Sequence, residues 1–182
     1  TSAFGGTPYI GILVENASQT TWLGAATGCA SDGLKLSPNA TAQATIVDFH
    51  ILDGSRLETN AGRGLHITNT TSSYACEGIY VGRVSIYGNT LDGVLISPSA
   101  SCVILHVFFN NTIVDTNGGD GIEFSGSAVV YRCRFDNVWV SANGGHGYYL
   151  NATASGLQIQ GGHILANQSS GIYAADTDSI MI

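Results

Sequence analysis

The sequence predicts an all-β solenoid of about seven stacked coils, and three observations predict it. Gly makes up 24 of the 182 residues, and Gly weakens helices but is common in turns and bulges. Five segments share an Asn followed four positions later by Gly, and each such Gly precedes alternating apolar side chains, as in a strand with one buried face. Self-similarity at a nearly constant period, without helical stretches, is typical of stacked β coils. The five segments begin at Asn60, Asn89, Asn117, Asn143 and Asn167.

Each coil should contain three short strands separated by turns. The first strand follows the repeat Gly, as at 122–124, where the two outer residues are apolar. A polar turn leads to a second apolar run such as 129–135, and a third run follows at 138–140. Strands stacked at about 4.8 Å place equivalent residues of successive coils in columns, which makes the fold a parallel β-helix. We predict a lead-in segment at 1–10 and the β-helix at 11–182, with the last coil incomplete.

The Asn column is expected to lie inside the coils. A buried side-chain amide can donate to one neighbouring coil and accept from the other, which satisfies turn backbone that the core would otherwise leave unpaired. The Gly four residues later should permit the sharp bend into the next strand. An earlier segment, 29–33, keeps the frame but has Cys29 at the Asn position, so the first coil lacks the Asn.

The residue before each repeat Gly lies on a turn, and these residues form a second column, here called the turn column. Asp92 and Asp120 are neighbours in it, with carboxylates expected about 5–7 Å apart. Glycoside hydrolysis uses two carboxylates roughly 5–9.5 Å apart, one as acid and the other as nucleophile or base, and their mutual repulsion raises one pKa. We therefore predict Asp92 and Asp120 as a catalytic pair, with His146 orienting a carboxylate or contacting substrate. The alternative is that these residues are ordinary turn residues in a charge-balanced ladder. The turn column comprises Asp32, Arg63, Asp92, Asp120, His146 and Ser170.

The Asn-x-x-x-Gly-apolar frame resembles the right-handed parallel β-helix superfamily, the pectin-lyase-like fold of pectate lyases, polygalacturonases and many phage tailspikes. The resemblance covers residues 11–182 and implies the right-handed turn of the coils. Segment 89–93, Asn-Thr-Leu-Asp-Gly, is similar to the Asn-Thr-Asp motif of polygalacturonases with an inserted Leu, and 145–147 matches their Gly-His-Gly. Asp120 alone stands for their Asp-Asp pair, and the sequence has no Arg-Ile-Lys. The contact to a substrate carboxylate therefore has no counterpart, which argues against a true polygalacturonase.

Alternation predicts an outward stripe two residues after each repeat Gly, beside the turn column. Its Tyr149 and Tyr173 could stack on sugar rings, and Glu123 adds a carboxylate, so we predict that these three and Arg63 bind substrate. The same acids could instead hold Ca²⁺, as in pectate lyases, but Arg63 is the one candidate base in the column. A lyase is therefore the weaker enzyme reading. We predict no metal centre and no cofactor.

The cysteines and sequons bear on the cellular compartment. None of the four cysteines has C-x-x-C spacing, which argues against a zinc knuckle. Cys76 and Cys102 fall on neighbouring coils and are the predicted disulfide, with buried thiols as the alternative. Six sequons suggest a secreted, glycosylated surface. They lie at Asn16, Asn39, Asn69, Asn110, Asn151 and Asn167.

Charge and composition limit the function classes. The net charge is −7 and Lys35 is the single lysine, which excludes a basic surface for nucleic acid, and no apolar run is long enough to insert in a membrane. Two classes remain: an extracellular or virion-surface module that engages a polysaccharide, as a hydrolase or tailspike-like domain, and a non-catalytic structural or adhesive glycoprotein. Neither end shows the polar cap that a solenoid needs. The chain is thus expected to be a fragment or to assemble with other copies of itself.

Overall fold

Twenty-one parallel strands wind around one axis in the computed structural model, which describes residues 9–39, 45–71, 75–99, 101–126, 129–152, 154–175 and 177–182. The first six coils each supply strands, in chain order, to sheets A, B and C. The described residues form no helix that could span a membrane. The first three coils contain β1 (Ile12–Val14), β2 (Ala17–Trp22), β3 (Ala25–Thr27), β4 (Leu34–Leu36), β5 (Ile46–Ile51), β6 (Arg56–Glu58), β7 (Leu65–Asn69), β8 (Cys76–Gly82) and β9 (Ser85–Tyr87). The next four contain β10 (Val94–Pro98), β11 (Val103–Asn110), β12 (Ile113–Asp115), β13 (Ile122–Ser125), β14 (Val129–Tyr131), β15 (Arg134–Asp136), β16 (Trp139–Ser141), β17 (Tyr148–Asn151), β18 (Ala154–Gln160), β19 (His163–Leu165), β20 (Ile172–Ala174) and β21 (Thr177–Met181).

The sheets confirm the predicted parallel β-helix, with seven strands in sheet A and six in sheet C among the described residues. Sheet A runs β1-β4-β7-β10-β13-β17-β20, so one strand from every coil pairs with the equivalent strands of its neighbours. Sheet C runs β3-β6-β9-β12-β16-β19. Sheet B uses the second strand of each coil, which the fifth coil divides into β14 and β15. The seventh coil contributes β20 to sheet A and β21 to sheet B.

The core consists of inward-facing columns that run along the axis. In sheet A the first residue after each repeat Gly is in register, so Leu65 pairs with Val94 and Val94 with Ile122. All three side chains are completely buried. In sheet B, Phe109 stacks on Phe135 with ring centroids 5.0 Å apart. Stacking like on like lets every coil bury the same kind of apolar surface, which is the main stabilising term.

The Asn column is internal, as predicted. The Nδ2 of Asn89 donates to Oδ1 of Asn117 at 2.8 Å, and Nδ2 of Asn117 donates to Oδ1 of Asn143 at 2.9 Å. The same Oδ1 atoms accept backbone N–H groups, such as that of Asn89 at 3.1 Å. In the first coil the backbone N–H of Cys29 takes this place and donates to Oδ1 of Asn60 at 3.0 Å. Each amide therefore satisfies turn backbone on one side and links to the next amide on the other.

The sequence predicts that the repeat Gly is needed for a sharp bend of the backbone, and this reason is wrong. The left-handed backbone lies instead just before the Asn, for example at Thr59 (φ 54°) and Thr116 (φ 55°). A Cβ built on Gly93 would lie 2.8 Å from Nδ2 of Asn117 and 2.4 Å from Cγ1 of Val114. The position must therefore be Gly because the Asn ladder and the core of the next coil occupy the space of its side chain.

The predicted disulfide is not formed, since all four cysteines are free thiols. Cys76 is in register with Ile104 rather than with Cys102. Two residues of offset between adjacent parallel strands separate the Cα atoms by about 8 Å, beyond the reach of a disulfide. Sγ of Cys102 lies 3.5 Å from the hydroxyl of Ser99. Of the predicted lead-in segment, 1–8 lies outside the described residues.

Candidate functional site

The turn column is a second hydrogen-bonded ladder, on the edge of sheet A. Oδ1 of Asp92 accepts the backbone N–H of Asp120 at 3.0 Å, and Oδ1 of Asp120 accepts the backbone N–H of His146. Nδ1 of His146 in turn accepts the backbone N–H of Ser170 at 3.2 Å, which leaves the neutral ring its proton on Nε2. The side chains of Asp32, Asp92, Asp120 and His146 therefore each hold the turn of the following coil.

Arg63 is engaged inside this column. Its Nε donates to Oδ2 of Asp92 at 3.1 Å, and its Nη1 lies 3.7 Å from Oδ1 of Asp32. Asp32 also accepts the backbone N–H of Arg63, and its Oδ2 lies 2.9 Å from Nδ1 of His66. Burial alone would raise the pKa of Asp32, but the hydrogen bonds and charges of His66 and Arg63 hold it below its usual value. The guanidinium is thus shared between two carboxylates.

Three carboxyl groups meet where the column adjoins sheet A. Asp92, Asp120 and Glu123 each contribute an oxygen, and these oxygens all lie within 4.8 Å of one another. We call them the carboxyl cluster. Burial, followed by the negative charge of Asp92, raises the pKa of Glu123 to about 7. Burial likewise raises the pKa of Asp120. Because ionised carboxylates this close repel each other, a proton held on Glu123 relieves the repulsion.

Three rings continue the surface beyond the carboxyl cluster. His146 stacks on Tyr149 with centroids 5.2 Å apart, and Tyr149 on Tyr173 at 5.4 Å. His146 also lies 5.1 Å from Tyr173 at a tilt of 33°. The register Glu123–Tyr149–Tyr173 in sheet A places this ring group one and two coils from Glu123. The seven residues predicted for catalysis and substrate contact therefore lie on one continuous face.

The carboxyl cluster is also the group of described residues that could hold a metal ion. Carboxylate oxygens are the donors that Ca²⁺ prefers, but Ca²⁺ takes six to eight of them. Oδ1 of Asp92 and Oδ1 of Asp120 already accept backbone N–H groups, and Oδ2 of Asp92 accepts Arg63. These engaged atoms make the donor set a poor match for Ca²⁺.

Sequence reasoning missed a second chemically rich face, the outer face of sheet B. His50, Tyr80 and Phe108 are in register on three successive coils and stack with centroids 4.5 and 5.2 Å apart. Two depressions of about 400 and 480 Å³ flank Tyr80. The sequence contains a signal for this face, because an aromatic ring recurs at one position of the sheet B strand in three successive coils.

The sequons lie in different environments. Asn16, Asn110 and Asn151 are exposed, whereas the half-buried Asn39 donates to Glu15 at 2.8 Å. Asn69 is 1% exposed, and its Nδ2 donates to the carbonyl of Val103. The Nδ2 of Asn167 donates to the carbonyl of Val140, within the Asn ladder. A glycan on Asn69 or Asn167 would displace these bonds, so exposed sequons are the compatible positions in the folded chain.

Comparison with known families agrees with this architecture. The chain matches the family model described as "Right handed beta helix region" over residues 10–182 and therefore belongs to the right-handed β-helix family. No curated protein matches the chain.

Proposed function

We propose that this right-handed β-helix protein engages a neutral polysaccharide on the outer face of sheet A and hydrolyses a glycosidic bond there. The observation that carries the proposal is the contact between a carboxyl group of pKa about 7, Glu123, and two further carboxyl groups, beside a group of three rings. An acid that keeps its proton near neutral pH next to an ionised carboxylate is what glycoside hydrolysis requires.

The roles follow from the raised pKa of Glu123 and from the short distances within the carboxyl cluster. Glu123 donates its proton to the leaving oxygen, while Oδ2 of Asp120, the oxygen that does not cap His146, attacks the anomeric carbon. The ionised Glu123 then takes a proton from water, which attacks the same carbon and releases Asp120. Oxygens within 4.8 Å favour this retaining route, because inversion needs about 6.5–9.5 Å to admit a water molecule. Asp92 and His146 position the pair.

The substrate class follows from the charges around the cluster. Arg63, which the sequence predicts to bind substrate, is already bound by Asp92 and Asp32. A polyuronate would bring further negative charge against three carboxyl groups without a guanidinium released for it. The ring group can contact the apolar C–H faces of a neutral sugar. We propose a polysaccharide as the partner of this protein. We also propose an extracellular or virion-surface location, which the sequons support.

The test is hydrolysis of a panel of neutral β- and α-linked polysaccharides by the parent protein and three variants. Glu123→Gln removes the transferable proton and should lower turnover at least about a hundredfold on a responsive glycan. Asp120→Asn keeps an acceptor for the N–H of His146 but removes the nucleophile, so it should lose activity and retain stability. Glu58→Gln is the control, because Glu58 is a half-buried Glu on sheet C, paired with Arg56 at 3.7 Å. Full activity in both site variants would refute the assignment.

A second function class has its own supporting observation. Each acceptor of the turn column holds a backbone N–H of the next coil, so the column has a structural use that needs no catalysis. This supports a non-catalytic structural or adhesive protein that assembles with other copies of itself. A parent protein inactive on every glycan of the panel, combined with clear destabilisation by Asp120→Ala, would favour this class.

A further inference from the structure

We infer that the outer face of sheet B carries a separate saccharide site, in the depression over Gly78 beside Tyr80, that binds a neutral oligosaccharide. The ligand class is that of the proposed function, and to that extent the inference rests on it. The two sites share no residue and lie on different sheets, so either one can fail without the other.

A ridge of stacked rings defines the site. His50, Tyr80 and Phe108 follow one another on β5, β8 and β11, and His106 lies 6.2 Å from Phe108. Tyr80 remains 38% exposed, although rings on both sides cover part of it. Both depressions have Tyr80 in their walls, so its ring forms the ridge between them. Rings with a polar tip and an apolar body are the usual walls of sugar sites.

The depression of about 480 Å³ lies over a column of sheet B in which one residue, Gly78, has no side chain. Along the middle of sheet B one residue per coil has left-handed backbone, including Asp48 (φ 58°), Gly78 (φ 66°) and His106 (φ 56°). Asp48 and His106 have side chains beside this space, whereas Gly78 between them has none. Both neighbours line the depression. The absent side chain at position 78 therefore opens a recess between an acidic and an imidazole group.

The polar groups around both depressions favour a neutral saccharide over an anionic one. Asp48 and Glu77 line the recess over Gly78, and Oδ1 of Asp48 lies 2.7 Å from Nε2 of His50. In the other depression the guanidinium of Arg83 is bound to Asp53. Carboxylates and imidazoles offer acceptors and donors for sugar hydroxyls, but a guanidinium already paired with Asp53 gives an anionic ligand little attraction. A neutral sugar fits this combination and a polyuronate does not.

The experiment fills the recess. Gly78→Asn places a side chain over it on a backbone that its neighbours Asp48 and His106 already adopt; a Cβ there would lie 3.1 Å from the backbone N of Asp48. Gly156→Asn is the matched control, because Gly156 has the same left-handed backbone (φ 69°) and its Cβ would have nearest neighbours at 3.7 Å. Tyr80→Ala removes the ridge, and Tyr131→Ala is its control, since Tyr131 is also 38% exposed on sheet B.

Binding is measured by calorimetry with cellohexaose, laminarihexaose and hexagalacturonate, each up to about 10 mM. The parent should bind a neutral hexaose and not hexagalacturonate, and Gly78→Asn and Tyr80→Ala should each weaken binding about tenfold or more. Both controls should bind as the parent does. The inference is overturned if neither neutral hexaose binds, if hexagalacturonate binds equally well, or if Gly78→Asn matches Gly156→Asn. Loss of binding in Tyr149→Ala alone would place the ligand on sheet A and overturn the inference while supporting the proposed function.

Discussion

The Asn ladder and the turn column perform the same task with different chemistry. In both, a side-chain oxygen accepts a backbone N–H of a neighbouring coil, as Asn143 does for Asn117 and Asp92 for Asp120. The Asn amide also donates, so one amide links to the next through the coils. An ionised Asp can only accept, so stacked carboxylates repel each other.

The difference explains why one ladder is uniform and the other is mixed. The Asn ladder repeats a neutral residue in buried turns without accumulating charge. The turn column mixes acids with Arg63 and His146, and where Asp92, Asp120 and Glu123 meet, the raised pKa of Glu123 keeps a proton that limits the repulsion. A residue that only supports the fold, such as the ladder Asn, can be repeated in every coil. A group of different titratable residues, such as the carboxyl cluster, occurs at one place and gives that place its reactivity.

The largest effect is expected from closing the space beside the Asn ladder. Gly93→Ala would put a methyl group 2.7 Å from the carbonyl oxygen of Gly121 and 2.8 Å from Nδ2 of Asn117. Neither backbone nor ladder can yield, so the free energy of unfolding should fall by about 3 kcal/mol or more. Urea unfolding measures it, with Gly82→Ala as control, because a Cβ on Gly82 meets nothing within 4 Å. Equal losses in both variants would contradict the packing account.

A smaller loss is expected from removing one amide of the Asn ladder. Asn117→Ala deprives the backbone N–H and Nδ2 of Asn89 of their acceptor, which should lower the free energy of unfolding by about 1–3 kcal/mol. Asn117→Asp keeps the acceptor but loses the donation to Asn143 and buries a charge, so it should not restore the stability. Thermal unfolding with exposed Asn151→Ala as control measures both. If Asp is as stable as Asn, the neutral amide is not what distinguishes this ladder.

The smallest effect is a pH dependence that belongs to the carboxyl cluster. The pKa of Glu123 is raised to about 7, so the folded chain holds a proton that the unfolded chain releases above its lower pKa. Stability should therefore rise as the pH falls from about 7.5 to about 5. The raised pKa of Asp120 acts in the same direction, whereas the lowered pKa of Asp32 costs stability only at more acidic pH. Melting temperatures across this range should rise in the parent and stay flatter in Glu123→Gln. An unchanged slope in that variant would assign the proton to another group.

The sequence by itself determined the coils and their columns. An Asn-x-x-x-Gly frame in nearly constant period was enough to predict parallel strands, an internal Asn ladder and a face that carries Asp92, Asp120, Glu123 and the two tyrosines. The reason is that stacking at one strand spacing converts sequence period into spatial adjacency. The ring column of sheet B could have been found in the same way.

Only the tertiary structure decided what the side chains in those columns do. Burial and the nearby charge of Asp92 set the pKa of Glu123. The tertiary structure also places Arg63 between two carboxylates. It shows that the repeat Gly is required because neighbouring atoms leave no room for a side chain, rather than because of its backbone angles. The strand register places Cys76 opposite Ile104, so that Cys76 and Cys102 are too far apart for a disulfide. Gly78, which has no side chain, lines the depression on sheet B. These properties depend on atoms from neighbouring coils, about 24 to 31 residues away along the chain. The repeat period gives the neighbours of a residue, but it does not give how deeply that residue is buried, which charges lie beside it or how much volume is left for its side chain.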